Sequence, residues 1–260
     1  MRELVDVLLL SLLQGIAEFL PVSSSGHLVL AQSLLGVNPA GVRLEVVLHL
    51  GTLASILAYY RVRVTRLVLG AARGDRESWR TAGHIALSSV PAVFFYLLCH
   101  DKIDAFFEDP RAVGGFLLFT GVVLCALRWM AFGEGGVTAA RALLVGLAQA
   151  LAVLPGVSRS GMTIAAGRMA GIAPDQAAEF SFLMCVPLLA GAALMDWMGV
   201  TASAPAADTL PANLLLAGAA VSAGVGYLAL SLLVRVLRAG RFWLFGLYCF
   251  AAGLATILLT

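Results

Sequence analysis

The sequence predicts an all-α polytopic membrane protein: an inverted-topology repeat with two re-entrant helical hairpins and about six full transmembrane spans. Three observations carry this expectation. Hydrophobic residues make up 60% of the 260 and charged residues only 12%, with a mean hydropathy of +0.94, where a soluble domain is about 25% charged. A short polar word occurs twice, as Ser23-Ser24-Ser25-Gly26 after Pro21 and Ser158-Arg159-Ser160-Gly161 after Pro155. The connections between apolar runs alternate between basic and acidic.

The elements follow in order. Residues 4–36 are apolar but broken by Pro, Gly and Ser, and read as two half-helices meeting at a polar turn. Such backbone is tolerated at membrane depth only where protein or a wet cavity covers it. A span follows at 44–60, then the stretch 61–80 with Arg61, Arg63, Arg66, Arg73, Arg76 and Arg80 against Asp75 and Glu77. Positive charge marks the cytoplasmic side. A span at 82–100 leads to the acidic loop 101–111 (Asp101, Asp104, Glu108, Asp109), expected outside, and a span at 112–130 closes the first half.

The second half repeats the plan. A broken stretch at 139–172 precedes spans at 178–199, 212–234 and 242–259. Loop 200–211 holds only Asp208 and is placed outside, whereas Arg235, Arg238 and Arg241 place their loop inside. The two words are offset by 135 positions (158 − 23), as are Gln14 and Gln149; Glu45 and Glu179 follow at 134. One membrane domain of two repeats, about 1–132 and 133–260, is therefore expected. Three spans per repeat is an odd number, so the second repeat is inverted and the hairpin tips meet near the midplane. The alternative is that each half-helix crosses fully. Trp79, Trp129, Trp197 and Trp243 sit near span ends as an aromatic belt would, and Asp196 is read as interfacial.

Several classes are excluded. There is no basic cluster suited to nucleic acid. Cys99, Cys125, Cys185 and Cys249 lie apart in apolar runs, without zinc or redox spacing. The first segment lacks a basic n-region, and Gln14 and Glu18 break its apolar character, so it does not read as a cleaved signal.

Ionisable groups inside the membrane cost about 2.5–3.5 kcal/mol and are functional candidates by default. Glu18, His27 and Arg159 all fall in the broken stretches. Gln14 and Glu18 share a helical face at a spacing of four. Arg159 offers a planar fork for phosphate or carboxylate. Serine hydroxyls and half-helix N-terminal N–H groups add anion contacts, which makes Ser23, Ser25, Ser158, Ser160 and Gly161, with Gln149, the expected substrate contacts. A carboxylate nearby suits a divalent metal or a proton. This set fits phosphoryl chemistry, with a serine beside a histidine as nucleophile. Blander readings stand beside it: Ser and Gly for close packing, Glu18 and Arg159 as a structural ion pair, and His49, His84 and His100 as polar core or interface residues.

Gln14-Gly15-Ile16-Ala17-Glu18-Phe19-Leu20-Pro21-Val22-Ser23-Ser24-Ser25-Gly26-His27 resembles the first signature of the bacterial undecaprenyl-diphosphate phosphatases, the bacitracin-resistance family. Pro155-Gly156-Val157-Ser158-Arg159-Ser160-Gly161 resembles the second, and His49-Leu50-Gly51-Thr52 and Phe180-Ser181-Phe182-Leu183 with Pro187 also fit. The resemblance implies an integral membrane enzyme that removes one phosphate from undecaprenyl diphosphate, recycles the lipid carrier for cell-wall synthesis and confers bacitracin resistance. It implies a divalent cation, Mg²⁺ or Ca²⁺, and a site in the plasma membrane that opens toward the outer face. By resemblance the (Glu/Gln)xxxGlu pair falls on Gln14 and Glu18 as metal residues, Ser24 is the nucleophile, His27 the catalytic histidine and Arg159 the diphosphate-binding arginine. Gln14 leaves one fewer carboxylate for the metal, and Ser25 stands where threonine is common in the family. Expected partners are the polyprenyl diphosphate, membrane lipids and a second copy of the chain.

Two further functions were open on the sequence alone: a lipid transporter or flippase, because broken inverted repeats are a transporter architecture, and an intramembrane serine protease, which leaves Arg159 without a purpose. His27 as the nucleophile also stays open at this point.

Overall fold

The computed structural model describes residues 2–35, 41–130, 133–198 and 210–260. Among the described residues the regular structure is all helix, apart from one isolated bridge between Gly135 and Ile172. Four apolar helical stretches, Arg76–Phe107, Pro110–Trp129, Pro174–Met195 and Ala212–Arg238, are long enough to cross a membrane and three more are apolar but shorter, the build of a multi-pass membrane protein.

The first broken stretch is α1 (Arg2–Ala17) and α2 (Ser24–Leu35). Pro21 has no N–H to give Ala17 and its ring would collide with that carbonyl, so α1 ends there. α3 (Gly41–Tyr59) leads into α4 (Arg61–Ala72), so the basic stretch expected as a loop contains a helix of twelve residues. α5 (Arg76–Phe107) has 32 residues, about 48 Å at 1.5 Å per residue, well beyond a hydrocarbon core of about 30 Å. Its start is capped by Asp75, whose carboxylate accepts from the Ser78 hydroxyl at 2.7 Å and the Ser78 N–H at 2.8 Å. Those two bonds hold the Asp75 carboxyl below the usual range. Asp101 and Asp104 lie in the last turns of α5, not in a loop, because a helix closes its own hydrogen bonds wherever it stands, in lipid or water. α6 (Pro110–Ala126) begins with proline at its first position and Asp109 as cap, then ends in a short 3₁₀ turn, Leu127–Trp129.

The second broken stretch is α7 (Ala139–Leu151) and α8 (Arg159–Met169). Their 13 and 11 residues reach about 20 and 17 Å, each short of a full crossing. The span expected at 178–199 is present as a stretch over Pro174–Met195 that is long enough to cross, but it is interrupted into α9 (Pro174–Leu183) and α10 (Cys185–Trp197). The interruption falls where Pro187 would have bonded Leu183. α11 (Ala212–Arg238) and α12 (Leu244–Leu259) complete the chain. α3 and α12 are among the shorter apolar helices, not the four long ones. Asp208 and most of loop 200–211 lie outside the described residues, as do the side chains of Asp196 and Trp197.

α1 packs on α11, α7 on α5, and α6 on α12. The main core gathers Phe19 of the first break with Leu124, Ile164, Phe182, Leu230 and Leu233. Outward, Leu97, Leu98, Leu228 and Leu258 are exposed. Apolar exposure on that scale is costly in water and free in lipid.

Candidate active site

The two copies of the polar word do the same local work. Each first serine caps a helix from the N-cap position: Ser23 Oγ accepts from Gly26 N at 3.3 Å, and Ser158 Oγ from Gly161 N at 3.1 Å. Serine favours this place because its hydroxyl satisfies an N–H that has no partner inside the helix. Ser24 and Arg159 therefore become the first residues of α2 and α8, an offset of 135 (159 − 24). The two helix N-termini converge on one cavity, and their partial positive charges add there.

The breaks touch directly. Gly156 N donates to Ser23 Oγ at 3.0 Å, and the Ser160 hydroxyl donates to the Leu20 carbonyl at 3.3 Å. A Cβ on Gly26 would lie 3.0 Å from both Gly156 N and Gly156 Cα, so a side chain there would part them. Ser23 has φ +70°, a left-handed conformation that costs a non-glycine residue about 1–2 kcal/mol. The bonds to its hydroxyl and carbonyl offset that cost.

The cavity has a volume of about 200 Å³. Its polar wall is Glu18, Ser23, Ser24, Ser25, His49, Ser158 and Arg159, and its apolar wall includes Phe107, Val153 and Leu189. Glu18 is the hub, with its side chain 2% exposed. One carboxylate oxygen pairs with the Arg159 guanidinium. The other accepts from the Ser24 hydroxyl at 2.7 Å and from Gln14 Nε2 at 3.1 Å, and lies 3.7 Å from His49 Nε2. So α1, α2, α3 and α8 each place one polar group on the same carboxylate.

Not every expected residue lies here. Ser160 and Gly161 are buried behind the wall, where they tie α8 to the first break and to its own cap. Gln149 is buried with both amide atoms unpartnered among the described residues and is not on the wall. His27 does not meet the Ser24 hydroxyl: its Nδ1 lies 2.9 Å from the Ser23 carbonyl and its Nε2 2.7 Å from the Tyr248 hydroxyl. His49, read from the sequence as a polar core residue, lines the cavity. Its Nδ1 meets the Glu45 carbonyl at 2.7 Å. A carbonyl only accepts, so Nδ1 carries a hydrogen and Nε2 is the nitrogen turned toward Glu18 and the cavity. The signal available in the sequence was an ionisable group inside an apolar span.

A divalent metal fits this donor set. Gln14 Oε1 is a buried oxygen without a partner among the described residues, beside the Glu18 carboxylate. Mg²⁺ is commonly held by one or two carboxylates with substrate phosphates completing its shell. Among the described residues no group of three or more His, Cys, Asp or Glu side chains stands ready to hold a metal, so substrate oxygens would have to supply the remainder.

The chain is similar to known proteins over nearly its whole length. A family model described as bacitracin resistance protein BacA matches residues 7–255. An undecaprenyl-diphosphatase of Rhodopirellula baltica is 39% identical, covering 100% of this chain and 99% of that protein. One of Desulfosudis oleivorans is 38% identical over 98% of each, and one of Methanosphaera stadtmanae 34% identical over 100% and 99%.

Proposed function

We propose an activity for this chain on one premise: it belongs to the bacitracin resistance protein BacA family, whose members compared above are undecaprenyl-diphosphatases. It is a membrane hydrolase acting on a phosphoric anhydride, and its substrate is undecaprenyl diphosphate, cleaved to undecaprenyl phosphate and inorganic phosphate. The product re-enters cell-wall synthesis, and the same turnover underlies bacitracin resistance. The observation that carries the reading is the meeting of two helix N-termini, Arg159 and the Ser24–Glu18 pair in one cavity.

The steps follow from the geometry. The diphosphate displaces Glu18 from Arg159 and takes the guanidinium as a bidentate partner. Ser24 Oγ attacks the terminal phosphorus while Glu18, already its acceptor at 2.7 Å, takes the proton. The bridging P–O bond breaks, the lipid monophosphate leaves, and water then cleaves the phosphoserine. Arg159 and the N–H groups of α2 and α8 hold the charge that develops. A bound Mg²⁺ or Ca²⁺, held by Glu18 and Gln14 Oε1, would neutralise phosphate charge.

The fold expectation deepens here as well. Two inverted repeats are supported by the 135-residue offset of α2 and α8 and by reciprocal packing, with α1 on α11, α7 on α5, and α6 on its counterpart α12. The short α7 and α8 support re-entrant hairpins. α5 runs from the basic residues around Arg76 to Phe107, which lines the cavity. By the positive-inside rule the cavity then lies toward the outer face of the plasma membrane. The same packing favours a second activity, lipid transfer by alternating access. It predicts that Ser24→Ala still moves lipid across liposomes, and absence of transfer in the wild type sinks it.

The test is phosphate release from farnesyl or undecaprenyl diphosphate by the detergent-purified protein, beside Arg159→Ala. Release by the wild type that vanishes in the variant is the expected result. No release from folded, monodisperse protein in several detergents overturns the assignment.

A further inference from the structure

Tyr248 lies on α12, away from both breaks in sequence and off the cavity wall. Its ring stacks on His27, with centroids 5.6 Å apart and planes at 17°, and its hydroxyl meets His27 Nε2 at 2.7 Å. The neighbouring Cys249 Sγ lies 3.3 Å from the Pro21 carbonyl, so two consecutive residues of α12 grip the first break. The direction of the bonds can be worked out. The Ser23 carbonyl only accepts, so His27 Nδ1 carries a ring hydrogen; in the neutral ring Nε2 then accepts, and the Tyr248 hydroxyl donates to it. The chain of bonds runs from Tyr248 through His27 to Ser23, the residue held at φ +70°. Ser23 in turn receives Gly156 N of the other break. Both nitrogens of His27 are used, while the Ser24 hydroxyl is given to Glu18.

We propose that Tyr248 is a positioning residue for the reaction. Through His27 it braces the left-handed turn at Ser23 and so keeps Ser24 aligned with Glu18. His27 serves as the middle of this brace, not as the acceptor of the Ser24 proton. The inference rests on the assignment above for the identity of the aligned nucleophile, but the brace itself is a statement about structure.

A double-mutant cycle on the full-length protein in detergent tests it, with Tyr248→Phe, His27→Ala and the double variant, and His27→Gln as the conservative arm. Tyr248→Phe keeps the ring and loses one hydrogen bond, so kcat falls about two- to tenfold, with KM and the pH profile unmoved. In the His27→Ala background the same change costs nothing further. His27→Gln, whose amide both donates and accepts, recovers activity lost in His27→Ala. Effects that multiply, or a His27→Gln variant that loses a pH limb near about 6.5 while Tyr248→Phe keeps it, overturn the proposal. Melting midpoints of the same proteins are read in parallel. The brace predicts that Tyr248→Phe lowers the midpoint by about 2 °C in the wild-type background and not beside His27→Ala; equal lowering in both overturns it. Should His27→Ala fail to fold, the same comparison is made in His27→Gln, where the brace predicts that Tyr248→Phe costs as much as in the wild type. If the wild type releases no phosphate, the assigned activity falls and the melting cycle alone decides the brace.

Discussion

The Arg159 guanidinium is paired with the Glu18 carboxylate across the junction of the two broken stretches. Glu18 is the more deeply buried partner, its side chain 2% exposed against 21% for Arg159. A buried pair of this kind is costly to break by removing one side, yet a diphosphate offers Arg159 an anion of higher charge. On the proposed function the ion pair is the resting state of the binding site, and substrate exchanges one anion for another.

Arg159→Lys removes the planar fork while keeping the charge. Loss of one such stabilising group costs about 10²–10³ in kcat, and a drop of that order in phosphate release is expected. Turnover near that of the wild type would mean that Arg159 only holds the fold.

Glu18→Gln leaves Ser24 without a base to take its proton and Arg159 without its counter-charge. General-base loss lowers turnover by about 10²–10⁴, and the unpaired arginine lowers stability by about 3 kcal/mol. Phosphate assays and thermal melting of the same preparation read the two effects separately. A variant that melts early but turns over normally removes Glu18 from the chemistry.

Rapid quench with substrate labelled in the terminal phosphate traps the covalent intermediate, which peptide mapping locates. The geometry expects the label on Ser24, whose hydroxyl already meets a proton acceptor. Label on His27 would contradict the serine pathway.

Chelation by EDTA abolishes release if the cation supplies charge neutralisation. Gln14→Ala then raises the Mg²⁺ concentration for half-maximal rate about 10–100-fold, because its unpartnered oxygen is lost. An unshifted metal titration would remove Gln14 from the cation's shell.

Gly26→Ala pushes a methyl group against Gly156 backbone at 3.0 Å. Overpacking of this kind costs about 1–3 kcal/mol and moves the two N-termini apart. Melting and phosphate release should fall together; an unchanged midpoint would show that the junction yields.

Much of this was legible in the sequence because its signals are local. A proline with a four-residue polar word breaks a helix wherever it occurs, and the first serine of the word caps the next helix, so the positions of both breaks and of Ser24 and Arg159 could be read directly. The limits of α5 could not. Asp101 and Asp104 look like loop residues on composition, but α5 has 32 residues, more than a hydrocarbon core needs, and its last turns include both. Likewise the interruption between α9 and α10 turns on a single missing N–H at Pro187.

His27 and His49 show the harder case. In sequence His27 stands three residues from Ser24 and looks like its partner, while His49 lies 25 residues away. On a helix a side chain's direction depends on its angular position, and both rings are turned by bonds to carbonyls four residues back, at Ser23 and Glu45. That rotation sends His27 to Tyr248 and His49 to Glu18.

The sequence by itself determined a membrane-embedded helical chain, its two breaks, its family resemblance and the residue types at the breaks, since hydropathy, proline chemistry and capping act within a few residues. Only the tertiary structure decided which groups share the Glu18 carboxylate and which histidine faces the cavity. Those contacts join residues from α1, α2, α3, α8 and α12, and their distances are set by how the helices pack, a property that no local stretch of chain contains.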